Sequence, residues 1–232
     1  MTGNRWEPLT EAVAGRPGTE TEGSSLCSAC RDVLAATGTG ITLVAQGARS
    51  QLCASDGVTA TLEELQFTLG QGPSVDACNA DRPVLVAELA TDRAGGRWPA
   101  FADPAVEAGM RAVFAFPLRV GAARLGSLTL YHDRAGPLST EALADGLTAA
   151  AHVTEAVLAM QAEAPPNVLA EGLADAGAHR AEVHQASGMI SAQLGIGIAE
   201  ALVRLRSHAY ATERPVGEVA ADIVARRLRL HA

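Results

Sequence analysis

The sequence predicts an α+β fold, an antiparallel sheet flanked by helices, followed by a C-terminal all-α module of three helices. Two observations carry the first part. Its segments order as helix, hairpin, loop, strand, helix, hairpin, long helix, an α+β order with an antiparallel sheet. Its clearest strands, Val113 to Val120 and Arg124 to Tyr131, are separated only by Gly121-Ala122-Ala123, a hairpin spacing. A third observation carries the second part: beyond about Arg180 the apolar residues recur at helical intervals.

Taken in order, residues 1–23 are rich in Gly, Pro, Thr and Glu and read as a flexible leader. Ser24 or Ser25 caps a helix to about Thr37, with Leu26, Ala29, Val33 and Leu34 on one stripe. Gly38-Thr39-Gly40 stops it. Ile41 to Ala45 and Gln51 to Ser55 are short strands around a Gly turn. Glu63 to Leu69 fits helix and strand equally. Gly70-Gln71-Gly72-Pro73 breaks the chain before a short helix from Ser74 to Asn79, and Val84 to Val86 is a strand. Pro99 opens a helix to about Glu107, ended by Gly109. After the second hairpin, Ser139-Thr140-Glu141 starts a long Ala-rich helix to about Ala162, interrupted by Pro165-Pro166. Helical spacing then resumes from Asn167 to Leu194, from Ile198 to Ala209 and from Val216 to Arg227.

Composition narrows the function classes. Hydrophobic residues make up 48% and charged residues 19%, which suits a packed core and not a disordered chain. All 18 basic residues are Arg, and the net charge is −8. Residues 1–164 carry 11 Arg against 19 acids, whereas residues 165–232 carry 7 of each. The acidic front argues against nonspecific nucleic-acid or anionic-membrane binding there. The neutral tail must act, on any polyanion, through a few placed Arg. No uninterrupted apolar run approaches the about 20 residues of a membrane helix, and no charged and apolar leader pair opens the chain. The expected location is the cytoplasm, with reduced thiols. Cys27-Ser28-Ala29-Cys30 is a single C-x-x-C, readable as a redox or metal pair or as two small helix-face residues. No Ser/His/Asp triad, HExxH or paired carboxylates stand out, so no catalytic residue and no metal site is assigned, and the chain is not expected to be an enzyme.

The front part carries Leu65-Gln66-Phe67-Thr68-Leu69-Gly70-Gln71-Gly72-Pro73, Asp81-Arg82-Pro83-Val84, Arg97-Trp98-Pro99-Ala100-Phe101, Phe114-Ala115-Phe116-Pro117-Leu118 and Leu125-Gly126-Ser127-Leu128-Thr129-Leu130-Tyr131. By the content and spacing of these segments, the stretch resembles a GAF domain. The resemblance implies a sensor at 24–162, with the chain-end helices on one face of the sheet and a small-ligand pocket on the other. Such domains bind cyclic nucleotides, haem, bilins and other small molecules, and no constellation here chooses among them, so the cofactor is left unknown. Cys78, Trp98, Phe101, Phe114 and Phe116 are the pocket candidates, each with core packing as the alternative.

The tail carries Gln185-Ala186-Ser187-Gly188, then Ala201-Leu202-Val203-Arg204-Leu205-Arg206-Ser207-His208-Ala209, then Val219-Ala220-Ala221-Asp222-Ile223. This succession resembles the ANTAR domain, the RNA-binding output module of bacterial antitermination regulators. The resemblance assigns 180–232 to that module and 163–179 to a helical linker, with Pro165-Pro166 as a hinge. It implies a homodimer that binds paired hairpins in a nascent leader RNA and prevents a terminator from forming. Gln185, Arg204, Arg206, His208, Tyr210 and Arg214 are the candidate RNA contacts, by stacking, hydrogen bonding and phosphate pairing. Ser187 stands where the family often has Lys, which removes a candidate phosphate contact. Ala186 and Gly188 are small enough to let a neighbouring helix approach. The competing readings are a DNA-binding regulator, since three helices can imitate a helix-turn-helix, and a dimeric signalling adaptor without nucleic-acid binding.

Overall fold

The computed structural model describes residues 6–7, 9, 20–45, 48–92, 96–163, 178–212 and 214–230. The chain forms two compact units, Met1–Ala170 and Glu171–Ala232. Pro165-Pro166 and the start of the helical run expected from Asn167 lie outside the described residues.

In the first unit, helix α1 (Glu20–Val33) precedes strands β1 (Gly38–Ala45) and β2 (Ala48–Ala54). Helices α2 (Gly57–Leu69) and α3 (Pro73–Ala80) follow, then β3 (Val84–Val86), α4 (Pro99–Glu107), β4 (Ala112–Val120), β5 (Ala123–His132) and α5 (Thr140–Glu163). The five strands form one antiparallel sheet in the order β2-β1-β5-β4-β3. The predicted α+β class and the antiparallel sheet are thus present. The segment that fitted helix and strand equally is helical, because Asp56 caps α2 by accepting from the Thr59 N–H. Gly70, at φ 64°, ends the helix in the left-handed conformation.

Two layers cover the sheet. On one face lie α1 and α5, and on the other α2, α3 and α4. The α5 stripe of Ala149, Val153, Ala156 and Val157 is buried, so it is used within this unit, while Met160 is only half-buried. Helix α1 begins earlier than the Ser24 or Ser25 cap predicts. Within the stretch expected as a leader, Leu9 is fully buried and the Trp6 ring lies 5.6 Å from that of His152. Cys27 of α1 is disulfide-bonded to Cys53 of β2, which corrects the reduced-thiol expectation, and of the two readings of Cys27 and Cys30 it removes the redox or metal pair. Cys27 and Cys30 share a helix face, but that face lies on the sheet, where Cys53 is the partner within reach. Burial pushes the Cys30 thiol up to about 12, so it carries no thiolate near neutrality.

The second unit contains α6 (Ala178–Leu194), α7 (Ile198–Ala211) and α8 (Val216–Val224), packed on one another as the predicted three-helix module. Val183, Ala186 and Ile190 meet Ala201, Leu205 and Ala209, and Val216, Val219, Ala220 and Ile223 close the core. Gly195, at φ 65°, makes the turn from α6 towards α7. Among the described residues no helix is long and apolar enough to cross a membrane.

Candidate ligand face and nucleic-acid interface

The sheet face under α2 carries an unusual amount of polarity for a buried surface. Register pairs Gly38 with Tyr131, Gly40 with Thr129 and Thr42 with Ser127, so these six residues share that face. Glu63 of α2 is 3% exposed, Gln66 1% and Tyr131 0%. The Glu63 carboxylate accepts from the Thr42 hydroxyl at 2.8 Å and from the Tyr131 hydroxyl at 2.7 Å. The Gln66 amide donates to the Tyr131 oxygen at 2.8 Å, and its carbonyl accepts from the Ser74 N–H at 2.8 Å. Burial, reinforced by the Glu63 carboxylate, raises the Tyr131 phenol well above its ordinary range. Burial also pushes Asp56 up, but hydrogen bonds from Thr59 and Ser55 outweigh it and hold the carboxyl below its usual value.

Two glycines let α2 sit this close. A Cβ at Gly40 would lie 2.6 Å from Glu63 Cγ, and one at Gly38 would collide with the Thr59 hydroxyl. The polar end of the face is therefore occupied by the protein's own groups, while Thr129 Oγ1 is buried with no hydrogen-bond partner among the described residues. Next to this cluster the surface turns apolar, with Leu62, Trp98, Phe101, Val113 and Ala115 packed together. The Trp98 ring nitrogen donates to Asp76 at 3.1 Å, and Arg97 stacks on the indole and pairs with the same carboxylate at 2.8 Å.

The five predicted pocket residues do not line one cavity. Trp98 and Phe101 belong to this face, and Cys78 is a buried residue of α3. Phe114 and Phe116 pair with Leu130 and Leu128 and point to the opposite side, where Phe116 meets Gly146 of α5. The reason is the two-residue period of a strand: Val113 and Ala115 take the inner face, so their neighbours cannot. Glu63, Gln66 and Tyr131 escaped the sequence reading. Residue type alone does not single them out, because Glu64 and Thr68 are as polar and lie in the same run. Among the described residues no group of three or more His, Cys, Asp or Glu side chains is placed to hold a metal.

In the second unit the candidate RNA contacts divide by what already occupies them. Gln185 is exposed on α6, and Tyr210 is 69% exposed on α7. Val203, Ser207 and Tyr210 form the outward stripe of α7. Arg204 pairs with Glu200 at 3.2 Å. Arg206 and His208 are half-buried at the edges of this stripe. Arg214 is held by Asp222 at 2.7 Å and lies 3.9 Å from Glu218. Hydrogen bonds from Arg214 and Arg227 hold the Asp222 carboxyl below its usual range. Two expectations are corrected. Ser187 is 1% exposed, and its hydroxyl donates to the Val183 carbonyl at 2.7 Å, so position 187 is a core position and not a phosphate contact. Gly188 is exposed with nothing within 4 Å of an added Cβ, so it admits no neighbouring helix within the unit. Arg226, Arg227 and Arg229, just beyond α8, were passed over although they form the densest basic run of the tail.

Residues 171–224 match the ANTAR domain family. None of the curated proteins compared with the chain matches it. The fold of the first unit is similar to the GAF domain of a phosphoenolpyruvate-protein phosphotransferase from Coxiella burnetii, with a TM-score of 0.53 and 15% identity over 68% of this chain and 94% of that one. It is similar to the equivalent GAF domain from Acinetobacter, with a TM-score of 0.51 and 10% identity over 71% and 99% of the two chains. It is also similar to a free methionine-R-sulfoxide reductase from Neisseria meningitidis solved with its substrate, with a TM-score of 0.52 and 11% identity over 71% and 96%.

Proposed function

The chain joins a GAF-like fold to a C-terminal ANTAR domain, and from that premise we propose that it is a signal-responsive RNA-binding regulator of transcription antitermination. A small molecule acting on the first unit controls an output that binds hairpins in a nascent leader RNA, as a homodimer in the cytoplasm. The chain acts by binding, without a catalytic step. The observation that carries this reading is the match over 171–224, which falls within the compact unit Glu171–Ala232. Gln185 and Tyr210 are its best-placed base contacts, since both side chains reach solvent. An exposed tyrosine offers a stacking platform for an unpaired loop base, worth about 1–3 kcal/mol. Arg206 and His208 flank that platform, and Arg204 and Arg214 reach RNA only by exchanging a carboxylate partner for phosphate. On the sensor side, Trp98, Phe101 and Cys78 remain the residues beside which a ligand would sit, with Phe114 and Phe116 as backing from the far side of the sheet.

The test is a gel shift of the full chain on tandem short-loop hairpin RNA and on duplex DNA, with terminator read-through in transcription reactions. RNA-selective binding, read-through and a loss of about 5- to 150-fold in affinity for Tyr210→Ala are expected. Preference for duplex DNA would replace this reading with a DNA-binding regulator. Stable dimers that bind neither nucleic acid would replace it with a signalling adaptor.

A further inference from the structure

We propose that the segment following α8, from Arg226 to Leu230, is a phosphate-contacting part of the nucleic-acid surface, with Arg226 and Arg229 as contacts to the RNA backbone. The inference rests on the reading of the second unit as an RNA-binding module, and it concerns residues beyond the 171–224 match.

The first argument is electrostatic. Residues 165–232 balance 7 Arg against 7 acids, so affinity for a polyanion depends on which guanidinium groups are uncommitted. Arg204 and Arg214 face carboxylates, and Arg227 Nε donates to Asp222 at 2.8 Å. Arg226 and Arg229 are exposed, and neither side chain has a hydrogen-bond or ion-pair partner among the described residues. Asp222, the carboxylate that this segment contacts through Arg227, already carries two guanidinium groups. It therefore does not cancel the two remaining charges, and the end of α8 is positive inside a neutral unit.

The second argument is that this segment is built. Arg226 turns the chain out of α8 in a left-handed conformation, φ 58°. The N–H groups of Arg227 and Leu228 both donate to the Asp222 carbonyl, at 2.7 and 3.1 Å. At the far end Leu230 is 7% exposed, and its carbonyl accepts from the Gln193 side chain of α6 at 2.7 Å. Backbone held at both ends presents the two arginines without the ordering cost that a loose tail incurs on binding. Arginine also suits the partner: its planar fork pairs with phosphate oxygens in a bidentate manner and stays charged across the physiological range.

The experiment measures binding of the full chain to a labelled pool of tandem-hairpin RNAs with randomised loops, as a function of salt. Each lost phosphate contact flattens the slope of log K against log salt by about 0.7–0.9. Arg226→Ala/Arg229→Ala, which removes two contacts from each protomer, is expected to flatten it by about 2.8–3.6 for the homodimer and to weaken binding about ten-fold or more at low salt. Arg226→Lys/Arg229→Lys should restore the slope, and thermal melts should match the wild type for both pairs. Arg124→Ala/Arg134→Ala removes the same charge from exposed positions of the first unit and should leave the slope unchanged. If the wild type binds RNA and the Arg226/Arg229 alanine pair binds with the same slope, this inference fails and the functional reading stands. It fails equally if the Arg124/Arg134 pair has the same effect, or if the lysine pair loses binding as the alanine pair does. A wild type that binds none of the RNA pool overturns both.

Discussion

Glu63 sits in the dry layer between a helix and a sheet, where three side-chain donors reach its carboxyl group. Thr42 and Tyr131 donate to its two oxygens, and Gln66 closes the ring by donating to Tyr131. A buried network of this kind contributes only while complete, since removing one member leaves the others dry and unpaired. Tyr131→Phe removes a single oxygen, yet it takes one buried hydrogen bond from Glu63 Oε1 and one from the Gln66 amide, which then keep the longer 3.3 Å bond to each other. The expected cost is about 1–3 kcal/mol, measured as a shift in the urea midpoint with an unchanged slope. A midpoint equal to the wild type would mean that water satisfies these groups. None of this was legible from residue type. In sequence, Glu63 and Gln66 are two polar residues in a run that fitted helix and strand equally, and only the paired register of β1 and β5 shows what lies opposite them. Tyr210 stands at the other extreme: it is 69% exposed, on α7 beside the buried Ala201, Leu205 and Ala209 stripe.

Elements were read more securely than their neighbours. The hairpin β4–β5, the short α3 and the three helices of the tail all follow from period, glycine and proline, because those signals act within a few residues. Which face of an element meets which partner is a longer-range property, and the two helical glycines illustrate it. In isolation, replacing either by alanine favours the helix by about 1 kcal/mol. Gly146 of α5 sits against the Phe116 ring, which a Cβ would enter, whereas Gly188 of α6 faces open space. Gly146→Ala is therefore expected to destabilise the protein by about 1–3 kcal/mol through overpacking, and Gly188→Ala to stabilise it by about 0.5–1 kcal/mol. Thermal and urea denaturation read both signs, and equal effects from the two variants would contradict this placement. The sequence reading took Gly188 as a close-approach site because a small residue beside Ala186 looks the same whether its face is covered or open.

At the scale of the molecule, the order of an α+β unit and then a helical one was visible from the change in period near Arg180, and the acidic excess of the first part was visible from counting. The cross-link between α1 and β2 was not, since Cys27 and Cys53 lie on elements whose packing only the folded sheet shows. Closing a loop across a sequence separation of 26 restricts the unfolded chain, so reducing the bond should lower the stability of the first unit by about 2–4 kcal/mol. The second unit contains no cysteine, and calorimetry with and without reductant should show its transition unmoved while the first shifts down. The same arrangement decides how the surface reacts with labelling reagents. Cys27 and Cys53 are bonded, Cys30 and Cys78 are buried, and all 18 basic residues are arginine. The folded surface thus offers neither a thiol nor a lysine amine to maleimide or succinimide dyes. One cysteine introduced at Ser207, beside Tyr210 on the outward stripe of α7, would carry a fluorophore with no competing site, and its emission would report directly on RNA arriving at that stripe.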